Sequence, residues 1–251
     1  MLSAFADIPL IQLILIAGVA FFASVVGGVA GYGTGALMPL VLVPVVGPEP
    51  VVPMIAISAI MTNTGRALAF RRYVDRRRAW IVLICALPPC ILTAYGYTRL
   101  TSAGAMLVIG GMLMLTVPLR IVLRRRAVTL SEGGLAAGAV GYGIAVGGTV
   151  GSGVILLSLL MASGIAGAAV VATDAAISIL IGFVRFAVFG IAGAVDARVL
   201  AFALLIGLIA LPSAFLARTL VERLPIRVHI AILDAVVLTG GASLVIGALT
   251  R

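Results

Sequence analysis

The stretch GGVAGYGTGALMPL, residues 27–40, and its echo GGTVGSGVILLSL, residues 147–159, decide how this chain is read. Each glycine-rich run follows an apolar segment of about one membrane thickness and precedes a shorter apolar piece. Gly33-Thr34-Gly35 matches Gly151-Ser152-Gly153 at an offset of 118. Two more landmarks follow in the same order. Ser58 and Arg66 match Ser178 and Arg185, and Val74-Asp75 matches Val195-Asp196. An ordered set of this kind points to an internal duplication, with residues 1–128 as a first transmembrane repeat and 129–251 as a second.

Composition agrees with a chain whose solvent is lipid. Of 251 residues, 63% are hydrophobic and 10% charged, and the mean hydropathy is +1.31, beyond what a soluble domain carries. Stretches of spanning length with almost no charge recur at Ile8–Gly28, Ala79–Tyr97, Ala103–Leu119, Val199–Ala217 and His229–Leu249. The N-terminus carries Asp7 and no basic residue before its first apolar run, so it reads as a retained span rather than a cleavable signal.

All 17 basic side chains are Arg, against eight acidic ones, and they cluster between apolar runs. The densest groups are Arg71, Arg72, Arg76, Arg77 and Arg78; Arg120, Arg124, Arg125 and Arg126; and Arg218, Arg223 and Arg227. Short basic loops between spans follow the positive-inside pattern and place these clusters in the cytoplasm, which argues against a nucleic-acid partner. Trp80, directly after the first cluster, fits the headgroup level where the chain re-enters lipid.

Each half divides into five apolar pieces. They lie near 8–30, 36–47, 51–70, 79–98 and 103–121, then near 133–150, 154–163, 166–193, 197–217 and 228–249. The second piece of each half is too short to span alone. The expected fold is therefore an all-α polytopic bundle of two homologous repeats. It has eight spans in parallel halves if the short pieces re-enter, or ten segments in inverted halves if they cross. The second count puts Arg218, Arg223 and Arg227 on the same side as the other clusters, and charge favours it.

The glycine-rich turn, the following Pro39 and Pro44, the Ala-rich stretch to Arg66, the Val-Asp pair, and the recurrence of this set resemble the TauE/SafE sulfite and sulfonate exporter family over nearly the whole chain. The resemblance implies a multi-pass protein of the bacterial inner membrane that moves sulfite, sulfonates or related small anions outward. Two positions depart from the family pattern: Thr34 replaces a glycine, and Leu157 or Ser158 stands where a proline follows the second motif.

Irregular backbone at membrane depth survives only where protein buries it or it lines a cavity, so two breaks in equivalent places point to a central anion site. Gly31, Gly33, Thr34 and Gly35, with Gly151, Ser152 and Gly153, would bring backbone N–H groups and helix starts close to a ligand. The competing reading is close helix packing by small residues. Arg66 and Arg185 hold matched positions, and Arg185 sits in a long apolar run, where a charge costs about 2.5 to 3.5 kcal/mol. A guanidinium fork suits sulfonate or carboxylate oxygens, whereas Arg66, near its loop, can instead snorkel.

Asn63, in the polar triplet Thr62-Asn63-Thr64, could complete the anion path or only glue helices together. Asp174 is the proton-carrier candidate, with a helix cap or an ion pair to Arg185 as its structural alternatives. Asp234 is read as structural.

Cys85 and Cys90 are five residues apart on one expected helix, about 8 Å along its axis and on diverging faces, which excludes a disulfide. The lone His229 has no metal-binding company, so neither metal nor cofactor is expected. Asp174 and Asp234 stand in no hydrolase motif, which leaves an anion carrier ahead of an anion channel and an intramembrane hydrolase.

Overall fold

The computed structural model describes the backbone of residue 5 and of residues 7–30, 33–125, 129–221 and 226–250. It describes the side chains of all these except 26–30, 33, 123–125, 213–221 and 226–233. The described residues form ten α-helices. They are α1 (Leu10–Ala30), α2 (Gly33–Val46), α3 (Val51–Phe70), α4 (Arg76–Tyr97), α5 (Ser102–Arg125), α6 (Glu132–Gly148), α7 (Gly153–Ala162), α8 (Ala168–Ile191), α9 (Ala197–Val221) and α10 (Ile226–Leu249). The expected apolar pieces correspond to these helices one for one. Among the described residues, four helical stretches, Val51–Tyr73, Arg76–Tyr97, Ser102–Val122 and Ala168–Ile191, are long and apolar enough to cross a membrane.

The Val-Asp landmarks turn out to be helix starts. Asp75 is the N-cap of α4 and accepts from the Arg78 backbone amide at 3.0 Å. Asp196 accepts from the Val199 amide at 2.7 Å, the same three-residue span, where α9 begins. A short carboxylate satisfies one of the amides that a helix start leaves without an internal acceptor, so these residues mark element boundaries rather than a transport route.

The bond from the Arg78 amide holds the Asp75 carboxyl below its ordinary 3.8, and the Arg78 guanidinium adds to this against an opposing effect of burial. A carboxylate whose pKa is lowered on folding stabilises above its unfolded pKa, and the benefit is lost as pH falls through the folded value. Asp75→Ala is therefore expected to cost about 1 kcal/mol near neutral pH. Thermal unfolding in detergent should show the gap to the parent closing on acidification below the ordinary carboxylate range.

Long-range contacts sort the helix ends onto two faces. On one, the Arg77 Nε lies 2.8 Å from a Glu132 carboxylate oxygen at the start of α6. Arg78 Nη2 donates to the Ser163 carbonyl at 2.8 Å, and the Leu130 amide donates to the Ala162 carbonyl at 2.7 Å. This Arg-rich face thus gathers the α3–α4 turn, the start of α6 and the end of α7. On the other, the Tyr97 hydroxyl donates to the Pro48 carbonyl at 2.8 Å, Ser102 donates to Glu49, and Arg198 pairs with Asp7 at 3.0 Å. The rings of Tyr97 and Phe189 meet edge to face with centroids 6.3 Å apart.

It follows that α1 and α2 together return the chain to the face it left, and so do α6 and α7. The remaining three helices of each half then cross in turn, so the second half enters from the face opposite to the first. Helices α3 and α8 run antiparallel, and so do α5 and α10. Arg66 meets Asp174 while Ala56 and Ile60 meet Gly182 across α3 and α8. Across α5 and α10, Arg120 meets Asp234 while Gly110 meets Gly241. The course of α9 brings its C-terminal end, with Arg218, toward the Arg-rich face; Arg223 lies outside the described residues.

Two readings of single residues change. Arg120 is not a loop residue of its basic cluster: it is buried in α5 and ion-paired with Asp234 of α10. Asp174 pairs with Arg66 rather than Arg185, because three helical turns separate it from Arg185 along α8. Cys85 and Cys90 are free thiols, and Trp80 is exposed on the outer surface of α4.

Candidate functional site

The two glycine-rich breaks meet. A methyl group built on Gly35 would lie 2.9 Å from the backbone nitrogen of Gly151, closer than real side-chain carbons approach, and 3.3 Å from its Cα. Gly151 takes a φ of +81°, the left-handed region that favours glycine. Its own added methyl would sit 3.4 Å from the Thr116 hydroxyl of α5. Close packing, the competing reading of these glycines, is therefore real here, and it sets the first turn of α2 against the break that precedes α7.

Not every glycine in the second run serves that crossing. Gly143 and Gly147, four apart on α6, lie against the α4 backbone. An added methyl on Gly143 would meet Ala86 Cα at 2.8 Å, and one on Gly147 would meet the Ala94 nitrogen at 2.9 Å. They let α4 and α6 approach as small residues do in membranes.

Gly153 opens α7, and Ser152 before it is its N-cap, buried, with no side-chain capping bond. In the first half, Gly33 opens α2 and Thr34 is half-buried in its first turn. Gly31 lies outside the described residues.

Arg185 is the charge beside this crossing. It is 6% exposed, and its Nη2 donates to the Thr149 carbonyl at 3.1 Å, the residue that ends α6 before the break. Its guanidinium carbon lies 5.6 Å from the ring centroid of Phe189, one turn on, and Cys90, Tyr142 and Tyr97 surround it. Its Nε is buried without a hydrogen-bond partner, and no carboxylate of the described residues pairs with it. A buried cation carries a heavy desolvation cost unless an anion or a set of acceptors compensates it. One carbonyl and a ring face leave part of the fork for something else.

Arg66 is not brought to the same place. It lies near the opposite end of the α3–α8 pair, 11 residues of α8 away by the level of Asp174, about 16 Å at the rise of an α-helix. Its Nη1 stands 3.7 Å from an Asp174 carboxylate oxygen and donates to Asn63 Oδ1 at 3.4 Å. Asn63 in turn donates to the Ala59 carbonyl at 2.9 Å, while Thr62 and Thr64 bond back to α3 carbonyls. Asn63 thus braces the arginine, and the triplet's hydroxyls serve their own helix. Asp174 is buried, with its carboxylate directed at the partner α3 supplies.

Sequence reasoning missed Thr149, Phe189 and Tyr97. Thr149 lies inside the quoted run, where nothing in the pattern marks it. Phe189 follows Arg185 by four residues, the helical spacing for a neighbour on the same face, and that signal was available. Tyr97 comes from another helix, and nothing local announces it. Among the described residues no group of His, Cys, Asp or Glu could hold a metal ion.

Compared with the models of known protein families, the chain matches the one described as Sulfite exporter TauE/SafE over residues 16–244. Comparison with curated proteins and with solved structures found no match.

Proposed function

We propose that this chain, which belongs to the sulfite exporter TauE/SafE family of membrane transporters, is a secondary carrier for a small sulfite- or sulfonate-like anion, bound at Arg185 beside the crossed glycine breaks. The observation that carries the reading is the partly uncompensated guanidinium: 6% exposed, one bond to a broken-helix carbonyl, and Nε without a partner. An anionic substrate would supply the missing acceptors, and Arg suits a planar or pyramidal oxyanion because its fork offers parallel donors. Ser152 and the first amides of α7, with Gly33, Thr34 and Gly35 of α2, would form the polar side of that site.

The direction is outward across a bacterial inner membrane, for which an inside-negative potential favours an anion by about 2.3 kcal/mol per charge per 100 mV. The two halves, 1–128 and 129–251, act as inverted repeats. The antiparallel pairing of α3 with α8 and of α5 with α10 supports this, as does the meeting of the breaks at Gly35 and Gly151. Asp174, held against Arg66, is the group through which the proton gradient is coupled.

Counterflow in proteoliposomes tests the class directly, with sulfite, alkyl sulfonates, thiosulfate and carboxylates as competitors. Saturable exchange of an oxyanion is expected, and ohmic single-channel currents would overturn the carrier reading in favour of a channel. Asp174→Asn is expected to retain counterflow of sulfite while losing at least about tenfold of the stimulation by an imposed pH gradient. Unchanged stimulation would remove Asp174 from the coupling role.

A further inference from the structure

Five arginines fall within residues 71–78, and the structure divides them. Arg78 reaches inward, with Nη1 2.6 Å from Asp75 Oδ2 and Nη2 donating to the Ser163 carbonyl at 2.8 Å. Arg77 pairs with Glu132. Arg71, Arg72 and Arg76 are exposed, and no carboxylate of the described residues pairs with them. Asp75 is committed to Arg78 and to its helix cap, so this corner of the Arg-rich face offers three positive charges to a partner.

Two amphipathic rings flank these charges. Tyr73, in the 3₁₀ turn Arg71–Tyr73, is 58% exposed, and Trp80 is 61% exposed. From there an exposed stripe runs the length of α4. Arg77, Trp80, Ile84, Pro88, Ile91 and Tyr95 follow one another at steps of three and four residues, which keeps them on one helix face. Beyond Arg77 the stripe is uncharged, and it spans about 27 Å at the rise of an α-helix, close to the thickness of a bilayer's hydrocarbon layer. The turn carrying the arginines is anchored from within. The Asp75 amide donates to Thr173 Oγ1 of α8 at 3.0 Å, and Arg78 ties the start of α4 to the end of α7. The charges are thus presented by a pre-organised backbone.

We infer that Arg71, Arg72 and Arg76 are the headgroup site of an anionic phospholipid whose acyl chains lie along the α4 stripe beyond Trp80. A phosphodiester supplies acceptors for the guanidinium forks, and the two rings sit at headgroup level, where polar and apolar parts of the lipid meet. A second copy of the chain fits this face less well. In a two-fold dimer about an axis normal to the membrane, the stripe would meet itself and set the three arginines against their own copies. The site is independent of the carrier reading above.

Trp80 is the single tryptophan of the chain, so its fluorescence reads this site alone. In vesicles mixing phosphatidylcholine with phosphatidylglycerol, bromination of one lipid or the other measures which of them contacts the ring. Phosphatidylglycerol is expected to be preferred by at least about fivefold, and the triple variant Arg71→Gln, Arg72→Gln, Arg76→Gln to bring the ratio to about one. Lysine at the same three positions keeps the charge and should retain most of the preference. Where the triple Gln variant is not recovered as folded protein, Arg72→Gln with Arg76→Gln serves, with a partial loss expected. A ratio of one in the parent, or an unchanged ratio in the Gln variants, overturns the site. Trp80 shielded from both brominated lipids overturns it as well, and assigns the stripe to a protein partner such as a second copy of the chain.

Discussion

Replacing Arg185 with Gln is expected to lower counterflow of sulfite by at least about a hundredfold, the loss that follows when a contact to a buried charge, about 3 kcal/mol, is removed. The expectation rests on position. The guanidinium is buried beside the break between α6 and α7, bonded to the Thr149 carbonyl, with donor capacity that the described residues do not fill. Gln retains a donor for that carbonyl but not the charge. Membrane insertion should not suffer, because the substitution takes a residue costing about 2.5 to 3.5 kcal/mol out of an apolar run. Arg185→Lys separates charge from geometry: an ammonium keeps the charge without the planar fork, so a partial recovery is expected. Full flux in the Gln variant, measured per inserted protein, would exclude Arg185 from substrate binding.

Asp234→Ala should instead damage the fold and spare the chemistry. Asp234 pairs with Arg120 across α5 and α10, with side-chain exposures of 16% and 6%. Removing one partner of a buried ion pair costs about 3 to 5 kcal/mol, because the other charge stays in a low-dielectric setting. Asp234 keeps some exposure, so the lower end of that range is expected. The double variant Arg120→Met with Asp234→Leu should recover most of the loss, since apolar residues of similar volume can replace such a pair. Thermal unfolding in detergent reads both effects, and the flux per folded molecule of the double variant should match the parent. A double variant as unstable as the single one would show that the pair does more than compensate charge.

Asp234 and Asp174 show how differently the sequence speaks about similar features. Both are ionisable groups in apolar runs, and cost alone marks each as needing a partner. For Asp234 the partner is Arg120, 114 residues earlier, which charge clustering assigns to a loop. For Asp174 the helical spacing offers Arg185 on its own helix, yet the contact is Arg66 on α3. Spacing along one helix can only propose neighbours within that helix; antiparallel packing of α3 on α8 supplies the other.

The glycine motifs were legible in a fuller sense. Their duplication and the shortness of the pieces behind them identify α2 and α7, and the structure sets Gly35 against Gly151. The separation of Arg66 from Arg185 was not legible. Two arginines in similar sequence settings suggest one shared site, but α3 and α8 pack antiparallel, and Arg66 and Arg185 come to opposite ends of that pair.

The sequence by itself determined that this chain lives in lipid, where its helices begin and break, and that it belongs with the TauE/SafE exporters. Apolar length, glycine and capping residues act locally and are written residue by residue. Only the tertiary structure decided which buried charge has a carboxylate partner and which has a single carbonyl acceptor. That depends on partners more than a hundred residues away, brought together by the direction in which each helix crosses.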